Sequence, residues 1–172
     1  WIGLVGSEMC IRDSDISPMI TPEMPVFPGD TPFSRNVLMD YGTGDHLALS
    51  TINTTVHLGS HTDAPYHYHP DGRTIEQQDL RRYLGAVHVV DVTHISDGPI
   101  TIKDVKNLDI KHSKMLFKSN SFPHEGPWQN EFAYLSPELI EYLSSNGVTT
   151  VGIDTPSVCL LYTSDAADER LS

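Results

Sequence analysis

The chain has 172 residues, with 11 Lys and Arg against 23 Asp and Glu, a formal charge of −12 with nine His counted neutral. Hydrophobic residues at 38% and charged residues at 20% suit one soluble globular domain and exclude a disordered chain. No apolar run approaches the ~18 residues that span a bilayer, and the acidic balance without a Lys/Arg cluster excludes a nucleic-acid backbone as partner.

The apolar start, Trp1 to Gly6, follows no basic region, so the expectation is a cytoplasmic protein without a secretory signal. Cys10 and Cys159 are too few for a disulfide framework. Both lie in terminal strings without helical or strand period that resemble translated sequencing-adapter read-through. Residues 1–14 and 159–172 are therefore expected to be non-native, residues 15–158 to be the native domain, and the native protein to continue beyond Val158.

From residue 15, Pro18, Pro22, Pro25, Pro28 and Pro32 forbid a helix interior and favour extended or turn backbone. Pro28-Gly29-Asp30 is a turn signal. After the Gly42-Thr43-Gly44 break, the Thr, Ile and Val content of 46–57 predicts a strand ending at His57. Gly59, Pro65, Pro70 and Gly72 predict a loop over 58–73. A buried strand is predicted at 86–92. Thr101 with Asp104 predicts a capped short helix reaching Leu108, and 115–118 a short strand. Ser136, Pro137, the apolar face of Leu139, Ile140 and Leu143, and the stop at Gly147 predict a helix over 136–147. Residues 148–153 read as a strand. The sum is strand-rich with few helices.

Four of the nine His fall in one stretch: His57, His61, His67 and His69, with Asp63 among them. Imidazole nitrogens with one carboxylate suit Zn²⁺ and are tolerated by Mn²⁺ or Fe²⁺. His57 at a strand end and His61 beyond Gly59 can face one centre, and Asp63 has an oxygen for each of two ions. A polar loop with ordinary hydrogen-bonded histidines is the competing reading. H-E-x-x-H fails because Leu58 follows His57, and a zinc finger fails for want of nearby thiolates.

The stretch resembles the H-x-G-[TS]-H-x-D-x-P-x-H signature of the metal-dependent cyclase/formamidase family. Asp15-Ile16-Ser17, Pro28-Gly29-Asp30-Thr31-Pro32-Phe33 and Gly152-Ile153-Asp154-Thr155-Pro156-Ser157-Val158 match in the same order. Together the blocks resemble its arylformamidase branch, the kynurenine formamidases of bacteria, over residues 15–158. The resemblance implies an α+β fold with a mixed, barrel-like sheet of the swivelling β/β/α type, C-terminally truncated here, in a protein that is usually a homodimer or larger. It implies His57, His61 and Asp63 as metal ligands, Asp63 shared between two ions, and His67 as general acid/base. Two Zn²⁺ per complete site, with Mn²⁺ as an alternative, are expected. Phe27 stands where relatives carry a Trp against the aromatic substrate. A further His and Glu ligand lie, in the family, downstream of the last block. The implied reaction is hydrolysis of N-formyl-L-kynurenine, an aryl formamide, to L-kynurenine and formate. A cyclic-amide hydrolase of the isatin type and a non-catalytic metal-binding module are the alternatives.

Among other residues, His69 is expected at the surface and Glu138 with Glu141 on a solvated helix face. The aromatic loop 121–128 fits either a substrate pocket or a dimer contact, and Asp154 either a role behind the site or a turn.

Overall fold

The computed structural model describes residues 14–159. The two terminal strings therefore lie outside the described residues, apart from Ser14 and Cys159 at their inner edges.

The first strands, β1 (Ser34–Met39) and β2 (Leu49–Asn53), form an antiparallel hairpin with an irregularity between Val37 and Met39. β1 was not legible because Ser34-Arg35-Asn36 carries no alternating apolar signal. β2 is shorter than the predicted 46–57, since pairing ends at Asn53 and the chain then turns toward the histidines.

The second half is built from parallel ladders. β3 (His88–Asp91), β5 (Lys114–Lys118) and β7 (Thr150–Ile153) pair in that order, all parallel. β4 (Gly98–Ile100) and β6 (Ala133–Leu135) form a second parallel pair. Parallel neighbours need long crossovers. These contain α1 (Ile102–Val105) between β4 and β5, and α2 (Pro137–Ser145) between β6 and β7. The combination of ladders and short helices is the α+β class that the family resemblance implies.

Local chemistry explains the helix ends. Asp104 accepts from the Thr101 backbone N–H at 2.7 Å and from its hydroxyl at 2.9 Å, so the cap is as expected. The helix stops at Val105 rather than Leu108. Ser136 caps α2 by accepting from the Leu139 N–H at 3.2 Å, with Pro137 in the first turn, and Gly147 beyond the end takes φ +83. β4 and β6 escape the sequence reading because each spans only three residues. Length of that order gives no period to detect.

The core lies entirely in the second half. Val90, Val92, Ile100, Val105, Met115, Phe117, Ala133, Leu135, Leu139, Leu143 and Val148 form one buried cluster. Burial of each large side chain contributes about 1.5–3 kcal/mol. Close packing of β5 on β7 depends on Gly152, where a Cβ would meet Leu116 Cδ2 at 2.6 Å. Among the described residues before Val90, only Met24 and Thr55 are buried, while large exposed apolar side chains run from Ile16 to Val89.

Candidate metal centre

The segment that leaves β2 is fixed by hydrogen bonds before it reaches the histidines. The Thr55 N–H donates to the Thr31 carbonyl at 2.9 Å, and the Thr55 hydroxyl donates to Asp30 Oδ2 at 2.5 Å. The same hydroxyl accepts the His57 N–H at 3.1 Å. Asp30 itself ends a tight turn in which its N–H donates to the Phe27 carbonyl at 2.9 Å. Pro28 and Gly29, at φ +90, occupy the central positions of that turn, as a type II geometry requires. The Thr55 hydroxyl and then the Thr31 amide hold the Asp30 carboxyl below its usual range, with the His57 ring adding to the effect.

Beyond His57 the chain reverses at Gly59, whose φ of +59 is left-handed. A Cβ there would sit 3.3 Å from Ile20 Cγ1, so the turn is also packed closely against the N-terminal segment. After Asp63, Pro65–His67 forms a single 3-10 turn. The Tyr66 N–H donates to the Arg73 carbonyl at 3.2 Å and closes the loop. Gly72 fits inside it because a Cβ would come within 2.4 Å of the Pro65 carbonyl carbon.

This path brings three ligand atoms together. His57 Nδ1 is 3.3 Å from His61 Nε2 and 2.9 Å from Asp63 Oδ1, and His61 Nε2 is 3.6 Å from the same oxygen. A tetrahedral zinc site with bonds of about 2.0–2.1 Å holds its donors about 3.3–3.4 Å apart, so the triangle has the right size. Asp63 Oδ1 is shut off from solvent and accepts no hydrogen bond of good geometry, despite the nearby imidazole nitrogens. A buried carboxylate oxygen left this way is costly unless a cation meets it. His61 Nδ1 faces the Gly59 carbonyl at 3.0 Å, which assigns the proton to Nδ1 and leaves the Nε2 lone pair for the centre. These observations fit a divalent ion held by His57, His61 and Asp63.

His67 stands beside this triangle and outside it. Its ring centroid is 4.4 Å from that of His57 and 4.6 Å from that of Tyr68. Tyr68 donates its hydroxyl to Asp63 Oδ2 at 3.3 Å, a contact with no sequence signal. His69 is exposed and accepts the Asp71 N–H through Nδ1 at 3.2 Å, as a surface residue would.

Phe27 is 54% exposed and packs edge-on against Trp128, 5.5 Å between centroids. Trp128 in turn meets Phe122 and the buried Phe132. The Gly126 N–H donates to the Glu23 carbonyl at 3.1 Å, which ties this aromatic loop to the segment behind Gly59. The loop apex from His124 to Pro127 is exposed, and the aromatic side chains are half-buried or buried. Trp128 as the partner of Phe27 was missed in the sequence, where the two are 101 residues apart and only the aromatic content of 121–128 hinted at a pocket or contact. Asp154 ends β7 and accepts from the Ser119 and Asn120 amides and from the Ser119 hydroxyl at 2.6–3.0 Å. It thereby anchors the start of the same loop.

The chain is similar to several known proteins. A family model described as "Putative cyclase" matches residues 14–158. A kynurenine formamidase of Erythrobacter litoralis is 35% identical over 84% of this chain and 66% of its own length. One of Geobacillus thermodenitrificans is 31% identical over 84% of this chain and 68% of its own. The chain thus spans about two thirds of these relatives. A solved structure described as a potential metal-dependent hydrolase with cyclase activity superposes with a TM-score of 0.71 at 30% identity, covering 85% of this chain and 69% of that one. A match over nearly the whole described chain, with the signature histidines gathered around Asp63, makes this protein a member of the cyclase family.

Proposed function

We propose that the protein is a metal-dependent amidohydrolase that converts N-formyl-L-kynurenine to L-kynurenine and formate. The observation that carries this reading is the ligand triangle of His57, His61 and Asp63 with His67 against its edge. The kynurenine formamidases among its relatives point to the substrate.

His57, His61 and Asp63 would hold the ion, Zn²⁺ or alternatively Mn²⁺. Such an ion supplies Lewis acidity toward the formyl oxygen and toward water. His67 acts on the proton. The aryl amine leaves poorly as an anion, and an imidazolium can protonate that nitrogen as the C–N bond breaks. Hydroxyl from water goes to the formyl carbon, giving formate, and the proton goes to the amine. Phe27, braced by Trp128, offers an aromatic face to the kynurenine ring. Asp63 bridging a second ion, and completion of the site by a further His and Glu, remain part of the same reading, as do a native domain over 15–158, a homodimer and a cytoplasmic setting. Among the described residues no helix is long and apolar enough to cross a membrane.

The test is a substrate panel of N-formyl-L-kynurenine, isatin and cyclic imides, run with zinc, with manganese and with chelator. Chelator-sensitive turnover that favours the linear formamide is expected. Preference for isatin would move the protein to the cyclic-amide reading suggested by Phe27 in the Trp position. Tight zinc binding without turnover would leave a metal-binding module.

A further inference from the structure

We propose that Asp30 is a positioning residue for the metal centre and acts on His57 through the hydroxyl of Thr55. The inference rests on the proposed ion between His57, His61 and Asp63, and deepens it.

Thr55 is one of two buried residues in the described part of the chain before Val90. Its hydroxyl has one proton to give and lone pairs to receive. The proton goes to Asp30 Oδ2 at 2.5 Å, and the His57 N–H is received at 3.1 Å. Asp30 Oδ1 receives the Thr31 N–H at 2.7 Å, while the Thr31 carbonyl receives the Thr55 N–H at 2.9 Å. Two bonds therefore lock the Asp30-Thr31 pair to Thr55, two places before the first ligand, a third braces the pair internally, and a fourth passes the constraint to the His57 backbone. They leave the hydroxyl with one orientation, because a carboxylate can only accept.

The Asp30 turn also carries Phe27, three residues earlier, whose carbonyl accepts the Asp30 N–H. A single carboxylate thus ties the turn bearing the aromatic wall to the strand exit bearing His57. Loss of the link frees both, and metal affinity reports it independently of turnover.

The experiment measures zinc affinity of the full chain by chelator competition, with Co²⁺ absorption spectra as a readout of ligand geometry. Thr55→Val keeps shape and removes the hydroxyl. Thr55→Ser keeps the hydroxyl. Asp30→Ala removes the acceptor at an exposed position. Thr55→Val and Asp30→Ala are expected to weaken zinc about tenfold or more and to change the Co²⁺ bands. Thr55→Ser should stay near the parent in both. If Thr55→Val and Asp30→Ala bind zinc and show Co²⁺ spectra like the parent, the positioning role is overturned while the metal site stands. If the parent chain takes up no zinc, the metal reading fails and this inference falls with it.

Discussion

His61 points Nδ1 at the carbonyl of Gly59, 3.0 Å away. That bond decides which nitrogen of His61 meets Asp63. A ligand two residues beyond its own orienting carbonyl requires a chain reversal between them, and the left-handed φ of Gly59 provides it. The metal-facing tautomer is therefore written into a three-residue turn.

Gly59→Ala should disturb both stability and the site. The left-handed backbone costs a residue with a Cβ about 1–2 kcal/mol, and the added carbon would press on Ile20 at 3.3 Å. Urea denaturation should show a loss of that order, and zinc titration should show weaker binding as the Gly59 carbonyl leaves His61.

His67→Ala separates proton transfer from metal binding. Its ring touches His57 but contributes no atom to the ligand triangle. Turnover of N-formyl-L-kynurenine is expected to fall about 10²–10⁴-fold, with zinc affinity measured by calorimetry close to the parent. His61→Ala or Asp63→Ala should abolish both. Unimpaired turnover in His67→Ala would remove it as the acid/base.

Leu139→Ala tests where stability resides. Leu139 is fully buried in the cluster between the parallel ladders and α2. The cavity should cost about 2–5 kcal/mol in denaturant unfolding. Ile52→Ala, on the exposed hairpin, should change stability by no more than about 0.5 kcal/mol.

Acid sensitivity should trace in part to Asp104. Burial pushes its carboxyl up, but the Thr101 amide, the Thr101 hydroxyl and His94 outweigh it, and the group titrates below its usual range. The unfolded chain then binds this proton more readily than the folded one. The contribution is fully present above the unfolded pKa of about 3.9 and is lost as pH falls through the lower folded value. Asp104→Asn should flatten the fall of stability with pH in that acid window, followed by denaturant midpoints across pH. At neutral pH, loss of the charged cap should cost about 1 kcal/mol.

Much of the site was legible because its determinants are local. His57, His61, Asp63 and His67 lie within eleven positions, and Gly59 and Pro65 mark the reversals that bring them together. The Pro28-Gly29 turn and the caps at Thr101 and Ser136 were readable for the same reason: each depends on neighbours within three or four residues. Three strands were not. β1, β4 and β6 are short or lack alternation, and their backbones are extended because a partner strand pairs with them.

The sequence by itself determined the ligand types, their spacing and the turns between them, since those follow from side-chain chemistry and backbone freedom over a few residues. Only the tertiary structure decided that Thr55 joins Asp30 to His57, that Trp128 braces Phe27, and that Asp154 anchors the aromatic loop through Ser119. Those pairs are 25 to 101 residues apart. Their contacts form because burial of the β3–β5–β7 core and the closure of each loop bring distant segments together, and no local pattern encodes that proximity.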